Sequence, residues 1–334
     1  MFRILSKQEC TNCTKIAAAE GVEVNLKRRF LYITGVIGSI YTAILTILGF
    51  YAANRLMFMK LKDHDLIVKR EIIAKRFDEH WYETVRKEDF WVDSPNGYPL
   101  RAVFLQPLET TRTVIICHGV TENKINSIKY ARLFERLGFN SVIYDHRRHG
   151  DSGGKTTSFG FYEKIDLNAL VSAVRDRIGS RALLGIHGES MGAATTILYA
   201  AEYEDDTDFY IVDCPFSDFT EQILHILRTN TPLRSSMTLR VANLFLKIRD
   251  GYTTGLVSPR EAIGNIKKPM LFIHSMEDDF ILPEMSKELY ELKEDKKMLK
   301  LFDKGAHAKS FNENPEEYEQ EVLHFLHNFR FAVS

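Results

Sequence analysis

Residues 182–198 read ALLGIHGESMGAATTIL, and this stretch decides the fold. An apolar run of strand character comes first, a Gly-x-Ser-x-Gly turn follows at residues 188–192, and a helical stretch rich in small residues comes next. A serine on so sharp a turn has a strained backbone, and flanking residues larger than glycine would clash with the adjoining strand and helix. The pattern predicts that Ser190 is a nucleophile presented at the end of a buried strand.

Strand-like and helix-like stretches alternate on both sides of this turn. A Ser-Pro-Asn-Gly turn at residues 94–97 joins the first two strands as a hairpin, and helical stretches separate most of the later ones. This alternation predicts an α/β fold with a doubly wound, mainly parallel, eight-stranded sheet. The candidate strands are Glu88–Asp93, Leu100–Gln106, Thr113–Cys117, Ser141–Tyr144, Ala182–Ile186, Tyr210–Val212, Met270–His274 and Met298–Phe302.

A serine hydroxyl is a poor nucleophile unless an imidazole takes its proton, and that imidazole needs a carboxylate on its other nitrogen. The chain contains 11 histidines, so a histidine alone indicates little. His307 differs from the others because it lies in a Gly-Ala-His-Ala turn after the last candidate strand, without apolar periodicity around it. We therefore expect His307 to be the general base.

Four further motifs make residues 86–334 resemble the α/β-hydrolase superfamily. They are IICHGV at 115–120, YDHRRHGDSG at 144–153, FIHSMED at 272–278 and KGAHA at 304–308. The resemblance is to the bacterial esterase and lipase branch, which also holds monoglyceride-lipase-like and serine-aminopeptidase-like members. It implies that nucleophile, acid and base follow in this order, and that the backbone N–H groups of Val120 and Met191 form an oxyanion hole. Ser275 is a departure, since the family commonly has glycine there.

Three aspartates are candidates for the acid. The resemblance points to Asp278, which follows His274 by four residues, although the position of Pro283 would fit Asp279 instead. Asp213 is a further alternative because some hydrolases carry the acid after the sixth strand. We expect the acid to be Asp278, since the end of a strand fixes the following turn more rigidly than the start of a helix does.

A stretch of 24 residues without a charged side chain, Phe30–Ala53, precedes the hydrolase-like part. At a rise of about 1.5 Å per residue, a helix of this length crosses a bilayer core of about 30 Å. The alternatives are a cleaved signal peptide, whose apolar region is normally only about 7–15 residues long, and a buried globular helix. We expect residues 30–53 to be a single transmembrane helix in the cell membrane.

Basic residues beside this stretch indicate its orientation, because they favour the cytoplasmic side of a membrane. The 15 residues before it contain four, and the 15 after it contain three: Lys15, Lys27, Arg28 and Arg29, then Arg55, Lys60 and Lys62. This small excess predicts that residues 1–29 lie in the cytoplasm and that the hydrolase domain is extracytoplasmic.

These observations divide the chain into an N-terminal tail (1–29), a transmembrane helix (30–53), a helical stem (54–85) and an α/β-hydrolase domain (86–334). The stem is assigned because residues 54–85 are highly charged and rich in helix-forming residues. Two apolar-patterned stretches inside residues 216–268 predict a small helical cap inserted into the domain.

Composition excludes several other functions. The 44 basic and 45 acidic residues nearly cancel, so we expect no nucleic-acid partner. Cys10 and Cys13 form a lone C-x-x-C without a second ligand pair or a thioredoxin-like strand, which argues against a zinc site and a redox motif. Since serine hydrolysis requires neither, no metal and no cofactor is expected.

We expect hydrolysis of a carboxylic ester through a Ser190 acyl-enzyme, with a small molecule or a lipid as the substrate. The anchor and the apolar cap point to lipid acyl chains, although the cap residues would look the same if they only packed on the domain. A serine peptidase of the aminopeptidase type, distinguished by an acidic cluster that holds an α-amino group, and an acyltransferase remain alternatives. A catalytically silent, membrane-tethered binding protein is a third alternative, and the sequence leaves the oligomeric state open.

Overall fold

Eight strands form one sheet in the order β1-β2-β4-β3-β5-β6-β7-β8 in a computed structural model. The structure describes residues 7–203, 206–230 and 236–332, with only the backbone for residues 7–23 and 230. The pairs β1–β2 and β2–β4 are antiparallel and the other five pairs are parallel, which confirms the predicted fold class. The strands are β1 Lys87–Asp93, β2 Pro99–Leu105, β3 Thr113–Cys117, β4 Asn140–Tyr144, β5 Leu184–Glu189, β6 Phe209–Asp213, β7 Met270–Ser275 and β8 Lys297–Phe302.

Each candidate strand of the sequence corresponds to one of these strands, with the largest difference at β5. The sequence suggested Ala182–Ile186, whereas β5 extends to Glu189 and thus ends directly at Ser190. Helices separate most of the parallel strands, as expected, and further helices precede β1 and follow β8. They are α1 Lys7–Met57, α2 His64–Ile73, α3 Glu79–Thr84, α4 Ile128–Arg136, α5 Glu163–Ile178, α6 Met191–Tyr203, α7 Phe219–Asn230, α8 Ser236–Asp250, α9 Pro259–Ala262, α10 Pro283–Leu292, α11 Ser310–Glu313 and α12 Pro315–Asn328.

The sheet is covered on both faces, so its central strands are buried along their whole length. Successive side chains of a strand point to opposite faces, and in β6 Tyr210 joins the apolar layer under α5 and α6 while Ile211 joins the layer under α4 and α12. Burial of both faces explains why these strands read as continuous apolar runs in the sequence.

The carboxyl-terminal half of α1 packs along α8, and α8 lies inside the region predicted as a cap. A Cβ atom added at Gly49 would lie 2.5 Å from Cγ1 of Val241, so the two helices touch at this glycine. Phe50 and Phe245 meet edge to face with ring centroids 5.3 Å apart. Ala53, Leu56 and Met57 of α1 are buried in an apolar cluster with Leu239, Ala242 and Leu246 of α8. The end of α1 is therefore part of the folded body.

Towards its amino end, α1 leaves this contact. Residues 24–57 form one helical stretch that is long and apolar enough to cross a membrane, and its most apolar window is not buried inside the protein. The segment predicted as a stem contains α2 and α3, but Ile67 and Phe77 are buried in the same apolar cluster as α4 and α12. The division of the chain into tail, anchor, stem and cap stays a prediction.

The turn between β5 and α6 has almost no free space. Ser190 has a φ of 57°, in the left-handed region that residues other than glycine seldom occupy. A Cβ atom at Gly188 would lie 2.4 Å from the carbonyl oxygen of Gly192, and one at Gly192 would lie 2.1 Å from the carbonyl oxygen of Cys117. Since these neighbours are backbone atoms, the Gly-x-Ser-x-Gly pattern is a steric requirement here.

We expect Gly192→Ala to destabilise the protein, because a methyl group there must displace the end of β3. Overpacking of this kind costs about 1–3 kcal/mol, which lowers the Tm of a domain of this size by about 2 °C or more. Gly264→Ala is the matched control, since a Cβ atom at Gly264 meets nothing within 4 Å. Thermal unfolding of both variants in detergent tests this, and equal Tm values would contradict it.

Candidate active site

Ser190, His307 and Asp278 lie in three connections at one edge of the sheet. Ser190 follows β5, Asp278 follows β7 and His307 follows β8, and the carboxyl ends of these parallel strands share that edge. Oγ of Ser190 lies 2.8 Å from Nε2 of His307. Nδ1 of His307 lies 2.7 Å from Oδ2 of Asp278. Three side chains that are distant in the sequence thus form one hydrogen-bonded series.

The partners of His307 define which ring nitrogen carries the hydrogen. An ionised carboxylate can only accept, so Nδ1–H of His307 donates to Asp278. Nε2 of the neutral ring then has a free lone pair that accepts from the Ser190 hydroxyl. In this arrangement the ring can take the serine proton without first changing its tautomer.

Asp278 is buried, yet it is well supplied with donors. Oδ1 accepts from the backbone N–H groups of Phe280 and Ile281 at 3.0 and 2.9 Å. Oδ2 accepts from His307 and also from Nε2 of His274, at 3.1 Å. Burial alone would raise the pKa of Asp278, but the hydrogen bonds and charges of the two histidines hold it well below its usual range. The carboxylate therefore remains ionised beside His307.

The other two candidate acids are in different surroundings. Asp279 is exposed, and its backbone carbonyl accepts from the ring of His225. Asp213 is buried, and its carboxylate accepts from the Ser310 hydroxyl at 2.9 Å. Burial and the nearby charge of Glu189 raise the pKa of Asp213 to about 7. Only Asp278 of the three hydrogen-bonds to His307 among the described residues.

Val120 and Met191, the candidate oxyanion donors, border the same cavity as Ser190. Met191 is the first residue of α6, and N–H groups in the first turn of a helix have no acceptor within that helix. The loop that carries Val120 touches the serine turn, since a Cβ atom at Gly119 would lie 3.5 Å from Cβ of Ser190. Both residues therefore lie beside the turn that carries Ser190.

Buried histidines hold the Val120 loop. Nδ1–H of His118 donates to the carbonyl of Gly119 at 2.8 Å, and its Nε2 accepts from the backbone N–H of His146 at 3.1 Å. Nε2 of His149 accepts from the N–H of Thr121, which has a φ of 68°. Burial lowers the pKa of all three rings. These three neutral rings shape the loop.

Ser190 and His307 border a cavity of about 810 Å³. One part of its wall is apolar and combines side chains of α1, α7 and α8, namely Leu48, Leu56, Ile223, Leu227 and Leu239. Another part carries charged side chains from α2, α4 and the loops after β3 and β8. The cavity is thus suited to a molecule with one apolar and one polar portion.

One group of possible metal ligands lies at this site. Atoms of Cys214, Asp278 and His307 lie within 4.8 Å of one another. A thiol binds a metal as thiolate, but burial raises the pKa of Cys214 well above its ordinary value. The other two side chains are already hydrogen-bonded to each other. This donor set does not fit a metal ion.

Sequence reasoning missed two features of the site. His274 was interpreted only as the end of β7, yet its ring links Asp278 to the hydroxyl of Ser286, 2.7 Å from Nδ1. Its position four residues before Asp278 was a usable signal. The contribution of α1 to the cavity had no signal, because it depends on a contact with α8 about 190 residues away. The side chains of Cys10 and Cys13 lie outside the described residues.

This chain is similar to several known proteins. Residues 109–249 match the family model described as serine aminopeptidase, S33. Protein YqkD of Bacillus subtilis is 46% identical over 293 residues, which is 87% of this chain and 96% of that protein. The lysophosphatidylserine lipase ABHD12 of Danio rerio is 24% identical over 199 residues, 56% of this chain and 48% of that protein.

Two solved structures share the fold. The esterase Pf2001 of Pyrococcus furiosus has a TM-score of 0.60 and 23% identity, over 73% of this chain and 93% of that one. The α/β hydrolase GrgF of a Penicillium species has a TM-score of 0.61 and 16% identity, over 73% and 99%. Identities this low show the fold alone, whereas the match to YqkD extends over nearly the whole of both chains. This chain belongs to the same family as YqkD, within the α/β-hydrolase superfamily.

Proposed function

We propose that this chain is a membrane-anchored serine hydrolase that cleaves a carboxylic ester through an acyl-enzyme. The observation that carries the proposal is the hydrogen-bonded series from Ser190 through His307 to Asp278, which borders a cavity with an apolar wall. Serine is activated when its hydroxyl donates a hydrogen bond to a neutral imidazole whose other ring nitrogen donates to an ionised carboxylate.

The reaction follows from these contacts. Oγ of Ser190 attacks the ester carbonyl carbon while Nε2 of His307 takes the hydroxyl proton, and Asp278 stabilises the resulting imidazolium. The carbonyl oxygen becomes negative and accepts from the N–H groups of Val120 and Met191. When the C–O bond of the ester breaks, His307 donates its proton to the departing alcohol. Water then attacks the acyl-enzyme by the same steps and releases the acid and the free serine.

The apolar wall supports a substrate with an acyl chain. Side chains of α1, α7 and α8 form this wall together, so a chain bound there would contact the helix that we propose as the membrane anchor. Each CH₂ group removed from water contributes about 0.8 kcal/mol, and a long acyl chain would therefore bind better than a short one. A lipid acyl ester is the substrate class that this wall favours.

The peptidase alternative requires free carboxylates to hold an α-amino group. Three carboxylates line the cavity among the described residues, and cations already pair with each. Glu71 binds Arg76 at 2.7 Å, Glu189 binds Lys129 at 2.7 Å, and Glu122 binds Arg70 at 2.7 Å. These pairs leave no carboxylate available for an amine, and they favour an ester over a peptide with a free amino terminus.

We expect Ser190 to react covalently with a fluorophosphonate probe. Ser190→Ala should abolish labelling and lower ester turnover by about 10⁶-fold, since an activated nucleophile is lost. The exposed Ser180 provides the matched control, and Ser180→Ala should change neither. Intact-mass measurement after labelling, with turnover of acyl esters of graded chain length, tests this. Labelling that persists in Ser190→Ala would contradict the proposal.

We expect Asp278→Asn to lower kcat by about 10⁴-fold, because the amide favours the wrong tautomer of His307. Asp279→Asn should retain nearly wild-type kcat, since that side chain is exposed. Asp213→Asn tests the remaining alternative and should cost far less than Asp278→Asn. Tm values of the three variants separate loss of turnover from unfolding. A crippled Asp279→Asn beside an active Asp278→Asn would show that the acid is the neighbouring residue.

We also propose that α1 stays attached, crosses the cell membrane once and leaves the domain extracytoplasmic, with residues 1–29 in the cytoplasm. The contacts between α1 and α8 support retention, because cleavage would strip Ala53 and Leu56 from a buried cluster. Protease added to intact protoplasts should remove the hydrolase domain while a cytoplasmic marker survives. Digestion of the domain only after lysis would reverse this orientation.

A further inference from the structure

The charges that line the cavity do not balance. Its six cationic side chains face three carboxylates, so three positive charges are left over among the described lining residues. The cations are Arg55, Lys62, Arg70, Arg76, Lys129 and Lys309, and the carboxylates are Glu71, Glu122 and Glu189. A net positive wall of this kind attracts an anion to the space that it borders.

Two of the three carboxylates each form ion pairs with two of these cations. Glu122 accepts both terminal nitrogens of Arg70, at 2.9 and 2.7 Å, and also pairs with Lys62. Burial alone would raise the pKa of Glu122, but hydrogen bonds and charges of these partners lower it to about 2. Glu71 bridges Arg70 and Arg76 in the same way. These pairs hold two guanidinium groups in place beside the cavity.

Besides the exposed Arg55, one of these cations has no such partner among the described residues, and that cation is Lys309. Its Nζ makes no hydrogen bond or ion pair with any described residue, although the side chain is half-buried and borders the cavity. Burial lowers the pKa of Lys309, and the charges of Arg76, Lys129 and Arg70 lower it further. An ammonium group held near other cations is stabilised when an anion binds between them.

The position of Lys309 brings this charge close to the reacting bond. Lys309 follows His307 by two residues, and its N–H donates to the carbonyl of Ala306 at 3.0 Å, so both lie on one tight turn. On the other side, Glu189 directly precedes Ser190 in the sequence, and it forms an ion pair with Lys129. An anion bound by Lys309 would therefore lie in the same cavity as an ester carbonyl at Ser190.

We propose that the substrate is an acyl ester whose alcohol portion carries an anionic group, a phosphate or a carboxylate, bound by Lys309 with Arg70 and Arg76. This inference rests on the proposed ester hydrolysis and names the substrate class for it. Guanidinium groups suit phosphate and carboxylate oxygens, and the ammonium group adds a point charge. The acyl chain then lies along the apolar wall while the anion occupies the charged wall.

The test compares two esters that differ by one anionic phosphate group, monooleoylglycerol and monooleoylglycerol phosphate, in the same neutral detergent micelles. We expect kcat/KM of the full-length protein to be at least about tenfold higher for the phosphate, since one hydrogen bond between charged groups contributes about 1.5–3 kcal/mol. Lys309→Gln should lower the ratio of the two kcat/KM values by about tenfold or more, and Lys309→Arg should restore most of it. Exposed Lys304 in the same loop is the matched control, and Lys304→Gln should leave the ratio unchanged.

Monobutyrylglycerol and its phosphate extend the test to the source of the anion. A preference for the phosphate with both chain lengths supports anion recognition of soluble and lipid esters alike, and a preference confined to oleoyl esters supports a lipid headgroup. Equal kcat/KM for charged and neutral esters, or an equal loss on both in Lys309→Gln, would overturn the anion site while ester hydrolysis stands. No turnover of any ester, without fluorophosphonate labelling, would instead refute the proposed function.

Discussion

The backbone contact between α6 and the end of β3 is the constraint on which the site depends. Gly192 touches the carbonyl oxygens of Cys117 and His118, so α6 can begin only where a residue without a side chain allows it. Ser190 is forced into a left-handed conformation two residues earlier, and its N–H is held by the carbonyl of Asp213 at 2.8 Å. Strain at this serine persists because the sheet and helix around it are buried on all sides.

Two buried aspartates at this edge of the sheet have pKa values shifted in opposite directions, and the difference lies in their donors. Asp278 accepts from two backbone N–H groups and two imidazole rings, which favour the ionised form. Burial and the nearby carboxylate of Glu189 favour the neutral form of Asp213, and the hydrogen bond from the Ser310 hydroxyl opposes them only in part. Burial alone therefore does not decide the pKa of a carboxyl group or the role that it can have. The hydrogen-bond donors and charges around it also contribute.

The sequence was sufficient for the strands, the serine turn and the grouping of Ser190, Asp278 and His307 at one edge, because these follow from local patterns and from the parallel order of strands. It was not sufficient for the cavity. The burial of Ile67 under α4 and the contact of Gly49 with Val241 depend on how distant segments fold back, and a charged amphipathic segment reads the same as a free stem or as a docked one. For the same reason, the ion pairs of Glu71 and Glu122 could not be predicted from the sequence.

The packing of α1 on α8 has a consequence for how such an enzyme would meet its substrate. If α1 crosses the bilayer as proposed, its burial in the domain at the other end fixes the height of the cavity above the lipid surface, with no flexible tether between them. An amphiphile would then reach Ser190 by lateral diffusion within one leaflet. Turnover would follow the mole fraction of substrate in the membrane and not its bulk concentration, and dilution with inert lipid would slow the enzyme even at constant total substrate.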